Sequence, residues 1–130
     1  WKADLLTEFD PFETGLDRFV NLNKDKFIGK SALEKRFKEG PRQKLVTLSI
    51  DCSHVPAHGG ASLMVGSKVV GTITSGEWGH RLNINLAYAF VDPDKAEVGT
   101  KMMLDLLGEM IPVEVIDSGP YDSSYSRILA

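Results

Sequence analysis

A single cysteine among 130 residues, Cys52, has no partner for an internal disulfide, so no disulfide framework holds this fold together. A reducing compartment follows, with the cytoplasm as the expected address. Long apolar runs are also missing: Leu86 to Val91 is among the longest, and it stops far short of the ~20 residues that cross a bilayer. No basic-then-apolar leader opens the chain. The expectation is a soluble chain with no membrane contact. Excess charge is scarce too. Fifteen Lys and Arg against eighteen Asp and Glu give −3, so the whole-molecule field neither draws in nor repels nucleic acid. What is present is ordinary: 42% hydrophobic and 25% charged residues, the composition of one soluble globular domain with one core. The chain opens at Trp1, without start-up punctuation, and reads as a piece of a longer protein whose chemistry rests partly on residues elsewhere.

Local signals divide the chain into a lead-in and a β-rich part. Asp10-Pro11-Phe12-Glu13 has an N-cap aspartate, proline at the first helical position and a glutamate three residues after the cap. With Phe12, Leu16, Phe19 and Val20 at helical spacing, it predicts a short amphipathic helix over 11–20 despite Gly15. Ser31-Ala32-Leu33-Glu34 forms a second capping box, cations crowd the last turn and Gly40-Pro41 stops it, which predicts a helix over 31–39. From Lys44 the period changes to two. Residues 45–50, 61–65, 68–74, 85–91, 101–107 and 110–116 read as strands, with Gly66-Ser67 and Gly108-Glu109 as hairpin turns. Six short strands with almost no helix point to a small antiparallel sandwich or closed barrel over about 44–117. The junction falls near Gly40 to Gln43.

Several clusters carry chemistry-bearing side chains. Between Arg18 and Lys44 lie nine of the fifteen cations and only three acids, a local excess that suits phosphate or a polyglutamate tail. The simpler reading is a solvated helix face. Cys52, His54 and His58 are good zinc ligands by type, but Pro56 and Gly59-Gly60 place them in a loop without a fourth ligand, so no metal is assigned. Ser75 sits in Thr74-Ser75-Gly76-Glu77-Trp78-Gly79-His80-Arg81, read as a turn-rich loop, where Ile73 stands in place of the upstream glycine of a nucleophile elbow. No catalytic residue is therefore named. Asp92 and Asp94 flank Pro93 in a solvated connector, and Asp117 to Asp122 is a further turn, followed by Tyr125 and Arg127.

Four ordered stretches resemble the C-terminal part of the glycine-cleavage T-protein (aminomethyltransferase) family: Pro11-Phe12-Glu13-Thr14-Gly15-Leu16, Lys26 to Leu33, Val70 to Gly76, and Asn85 to Val91 with Val98-Gly99-Thr100. Trp78-Gly79-His80-Arg81 and the ending from Tyr121-Asp122 to Arg127 look most similar to dimethylglycine and sarcosine dehydrogenases within it. The resemblance implies a closed six-stranded Greek-key barrel over 44–130, with 1–43 finishing a preceding folate-binding domain. It also implies a parent that oxidises an N-methyl amine and passes the one-carbon unit to tetrahydrofolate, with FAD in another domain. Trp1 and Arg127 are the positions it brings to the folate. The expected partners are the upstream domains and the small-molecule folate, not nucleic acid, with self-pairing through the surface those domains would cover. A translation-factor-like barrel that binds RNA through the Arg18 to Lys44 patch is the alternative from a different class, and a stand-alone aminomethyltransferase fragment is the alternative within the family.

Overall fold

The structure is a computed structural model that describes residues 3–130. Trp1 lies outside the described residues.

Six strands form the body: β1 (Lys44–Ile50), β2 (Ser62–Val65), β3 (Lys68–Gly79), β4 (Ile84–Val91), β5 (Lys101–Leu106) and β6 (Glu109–Ile116). They close in the order β1-β4-β3-β2-β5-β6, every pair antiparallel. β2, β3 and β4 follow one another around the wall, and β1 returns beside β4 through the long connection 51–61, which is the Greek-key arrangement. The alternation seen in the sequence puts one face of each strand inside. Leu48, Leu63, Ile73, Leu104, Val91 and Val115 are fully buried there, and the interior is filled with side chains.

Differences from the sequence expectation have local causes. The second hairpin turns at Leu107-Gly108 rather than Gly108-Glu109, because both of those residues take positive φ (57° and 89°). That pair of left-handed residues has the twist of a tight hairpin. The stretch 75–79, expected as loop, is strand. A register shift between Ile73 and Ser75 resets the alternation, so Gly76 and Trp78 pair with Ala87 and Asn85 instead of ending the ladder. The predicted helix over 11–20 is absent. Its capping box does form, with the backbone N–H groups of Phe12 and Glu13 donating to Asp10 Oδ1 and that of Asp10 donating to Glu13 Oε2. Gly15 then turns left-handed (φ 71°) and Leu16 N–H reaches back to Pro11 O, closing the unit after one turn. Only a 3₁₀ turn at Asp17–Phe19 follows. The second helix, α1 (Lys30–Glu39), is present, although Gly29 and not Ser31 occupies its cap, without a side-chain hydrogen bond.

The lead-in is pinned to the barrel by a buried carboxylate. Glu13 is fully buried, and Arg42 grips it with Nε at 2.9 Å from Oε1 and Nη2 at 3.3 Å from Oε2. Arg36 sits 3.8 Å from the same carboxylate and donates from Nε to Asp10 Oδ2 at 2.8 Å. Leu45 N–H donates to the Glu13 carbonyl at 2.7 Å, so the unit is tied to the start of β1 as well. Burying a carboxylate is costly unless its oxygens are satisfied, and here both are.

At the barrel end next to the β1–β2 connection, Asn85 points inward and its amide donates to Cys52 O (3.0 Å) and Val55 O (2.8 Å). The connection is thereby folded over the end as a plug that carries buried Cys52 and Ala57. Gly76 faces that plug, and a Cβ there would run into the Ala57 carbonyl oxygen.

Substitutions at two positions test these constraints. Gly76→Ala forces the plug away from β3 and should cost about 1–3 kcal/mol of unfolding free energy, the range for overpacking a close contact. Glu13→Ala should cost about 3 kcal/mol, since it removes several hydrogen bonds to a charged group, and Glu13→Gln should cost less. Denaturant melts of the variants check both, and an unchanged midpoint for either alanine variant contradicts the corresponding contact.

Candidate functional site

The outer face of β1, β4 and β3 is where segments from both ends of the chain meet. Side chains that point out of a barrel are normally wet, yet Phe90 is 6% exposed and Thr47 also 6%. Phe9 covers Phe90, their rings 4.3 Å apart and tilted by 50°. Asp4, from the same N-terminal segment, accepts hydrogen bonds from Thr74 Oγ1 at 2.5 Å and Ser75 Oγ at 2.8 Å. The β3 irregularity is the reason both hydroxyls meet one carboxylate. Burial pushes the Asp4 carboxyl up, but the two hydroxyls hold its charged form, and the balance lies below its usual value.

Against Pro120 of the C-terminal segment, on the outer face of β3 and β4, lies a slot of about 280 Å³, lined mainly by Ser75, Glu77, Trp78, Leu86, Tyr88 and Pro120. Its walls are mostly apolar, and it has room for an aromatic ring edge. Beyond Pro120 the chain presents Tyr121 to two guanidiniums. Arg81 lies 5.2 Å from the ring centroid and donates from Nη1 to the Tyr121 hydroxyl at 3.1 Å. Arg127 lies 5.2 Å from the same centroid. The structure thus brings together the two stretches, Trp78 to Arg81 and Tyr121 to Arg127, that the sequence singled out separately.

Other candidates are not brought together. Cys52 Sγ is 3.5 Å from His54 Nδ1, whereas the ring of His58 contacts the Gly59 carbonyl at 3.2 Å. Among the described residues no three His, Cys, Asp or Glu side chains gather as a metal site. Ser75 gives its hydroxyl proton to Asp4, not to an imidazole. Asp92 pairs with Lys68 at 2.9 Å and Asp94 with Lys95 at 2.9 Å, on the surface. The cation-rich stretch is partly neutralised: Arg36 and Arg42 hold Asp10 and Glu13, and Lys30 and Lys35 lie 3.7 and 3.8 Å from Glu34 and Glu39. Asp4 and Asn85 carried no signal in the sequence, since nothing marks a carboxylate that will meet two hydroxyls some 70 positions away.

Comparison with known proteins decides the family. A profile of the glycine cleavage T-protein C-terminal barrel domain matches residues 43–122. The chain belongs to the glycine cleavage T-protein family. This T-protein barrel is 37% identical over 117 residues to mitochondrial dimethylglycine dehydrogenase of Mus musculus, covering 89% of the chain and 14% of that protein. It is 34% identical over 120 residues to an aminomethyltransferase of Alkaliphilus oremlandii, covering 92% of the chain and 32% of the relative. The crystal structure of the glycine cleavage system aminomethyltransferase T from Bartonella henselae shares the fold, with a TM-score of 0.81 over 88% of this chain and 33% of that one, at 24% identity. The chain spans between a seventh and a third of the length of these relatives. No helix among the described residues is long and apolar enough to cross a membrane.

The Asp4 contact predicts a pH response. A carboxyl held below its ordinary value stabilises the docked segment above the ordinary aspartate range, and that contribution is lost as acid takes the pH down through the lowered value. The protection factor of the Phe9 amide, which donates to Leu6 O, should fall on acidification, and Asp4→Asn should remove the acid step centred below the ordinary range. The same step in the Asn variant would show that another group controls docking.

Proposed function

We propose that this chain is the closing barrel of a folate-dependent one-carbon enzyme of the dimethylglycine or sarcosine dehydrogenase type. Its parent oxidises an N-methyl amine and hands the one-carbon unit to tetrahydrofolate. The observation that carries this reading is the docking of Arg81 on Tyr121, which joins the two stretches most similar to those dehydrogenases, beside a slot shaped for a ring. The identity to mouse dimethylglycine dehydrogenase agrees with it. The 34% identity to an aminomethyltransferase supports the coarser alternative, a stand-alone transferase without the flavin part.

The chemistry needs a carboxylate beside the reacting nitrogen, an apolar place for the pterin and cations for the acidic end of the folate. Trp78, Leu86, Tyr88 and Pro120 fit an aromatic group, and Arg127 fits a carboxylate. Tetrahydrofolate, when bound, supplies the acceptor for the one-carbon unit. This chain's part is to wall the cavity, exclude water from it and position the acidic end. Asp4 is engaged by Thr74 and Ser75, so the reactive carboxylate is assigned to the upstream domains. FAD is assigned to another domain as well, because the described elements contain no strand, glycine-rich turn and helix unit for a dinucleotide. Exposed Phe19, Ile28 and Phe37 are the surface we assign to the upstream domains, and self-pairing would use it when they are absent. The buried thiol of Cys52 suits a reducing compartment, the cytoplasm in this reading, or the mitochondrion that the mouse relative's name gives.

The chain mixed with FAD, dimethylglycine and tetrahydrofolate should give no turnover, and product would overturn the assignment. In the parent enzyme Arg127→Gln should raise KM for tetrahydrofolate several-fold; an unchanged KM removes Arg127 from the folate face. Filter binding to RNA across a salt series should be weak and nearly flat, whereas a steep negative slope would favour the RNA-binding alternative.

A further inference from the structure

Arg81 and Arg127 share an unusual setting. Each guanidinium carbon is 5.2 Å from the Tyr121 centroid, so the two cations are no farther apart than twice that distance. Among the described residues neither is within ion-pair distance of a carboxylate. The nearest acids in sequence are engaged locally: Glu77, four positions before Arg81, accepts from the Trp78 N–H at 2.9 Å, and Asp122, five before Arg127, accepts from Ser126 Oγ at 2.8 Å and from the Arg127 N–H at 3.2 Å. The contrast with the lead-in is direct, since Arg36 and Arg42 there are each matched to buried or half-buried carboxylates.

Two exposed arginines that repel one another would normally splay apart into water. Here the ring holds both and its hydroxyl also holds Arg81, which lowers the rotamer freedom each must lose on binding and leaves the remaining N–H donors unclaimed. Converging cations raise the local potential for an anion, and guanidinium forks match the two oxygens of a carboxylate or phosphate. The clamp adjoins the apolar slot through Pro120 on one strand of chain and Trp78-Gly79 on the other.

We propose that Arg81, Tyr121 and Arg127 form an oxyanion clamp that takes the carboxylate or phosphate end of a small molecule whose ring enters the slot. Arg81 thereby becomes a binding residue alongside Arg127. The clamp extends the assignment of Arg127 to the folate face and rests on that reading for the identity of its ligand, but its anion chemistry is testable separately.

The test records the Arg Nε–H NMR signals of the chain during titration with glutarate and, separately, with inorganic phosphate, at constant ionic strength so that screening does not change. Both Arg81 and Arg127 should shift together and saturate in the millimolar range, while Arg18, stacked only on Phe19, should not. A stronger response to glutarate assigns a carboxylate source, and a stronger response to phosphate assigns a phosphoryl source. Arg81→Gln should abolish the response at Arg127, and Arg127→Gln that at Arg81. Tyr121→Phe, which keeps the ring, should weaken both. Linear shifts matching those of Arg18, or an undiminished response of one arginine when the other is replaced, would overturn the clamp. A tetrahydrofolate titration separates the two readings. If glutarate saturates both arginines and tetrahydrofolate moves neither, the clamp stands and the folate assignment of Arg127 falls. If tetrahydrofolate shifts Trp78 and Tyr88 while both anions leave the arginines unmoved, the slot reading stands and the clamp falls.

Discussion

Closure of the barrel depends on β1, the strand that must pair on both sides after a long excursion of chain. It matches β4 from Lys44 to Ile50 and β6 from Thr47 to Ile50, so one strand fixes the register of two others that are far away in sequence. Because strand side chains alternate, a slip by one position would turn Val46, Leu48 and Ile50 out to water. Register is also held from the lead-in, where Glu13, under Arg42, accepts the Leu45 N–H at the start of β1 through its carbonyl. The buried ion pair acts on geometry more than on bulk stability, because its desolvation offsets much of its attraction.

The plug follows from the same constraint. Once β1 has ended at one side of the barrel and β2 must start at another, the connection has to cross the open end, where carbonyls without partners would be costly. Asn85 meets two of them from inside the wall, and Gly76 leaves the room for the chain to pass. Asn85 Oδ1 has no hydrogen-bond partner among the described residues, so the plug is held through the amide donors alone.

Much of this was legible in the sequence, and the exceptions share a cause. Period-two alternation and glycine turns revealed all six strands, since those signals are local and the burial they report is one-sided. The end of β3 was hidden because the irregularity at Ile73 to Ser75 shifts the alternation, and Gly76 and Gly79 look like turn residues until the plug and Leu86 are seen against them. The lead-in misled in the opposite way: its capping box is real, yet Gly15 ends the unit that the box begins. At the candidate site, each segment was conspicuous alone. Their meeting was not, because Arg81 and Tyr121 are 40 positions apart and neither carries a mark of the other.

The location of function on this molecule then follows from size. A barrel of eight strands is just wide enough for its own side chains, so one of six has no interior to offer a ligand. The fully buried Leu48, Leu63, Ile73 and Leu104 occupy that space. A binding surface must therefore be made outside the packed interior: beside the plug, where a cavity of about 930 Å³ is lined by Cys52, His54, Trp78 and Pro112, or on the outer wall where additions of chain flank it. The additions are the two terminal segments: Asp4 and Phe9 lie over β3 and β4 on one side, and Pro120, Tyr121 and Arg127 flank the other. Pro120 closes the slot over Ser75 and Tyr88, and the exposed loop with Arg81 reaches its aromatic partner only because the tail crosses there. The barrel supplies rigidity, and the chain that flanks it supplies recognition.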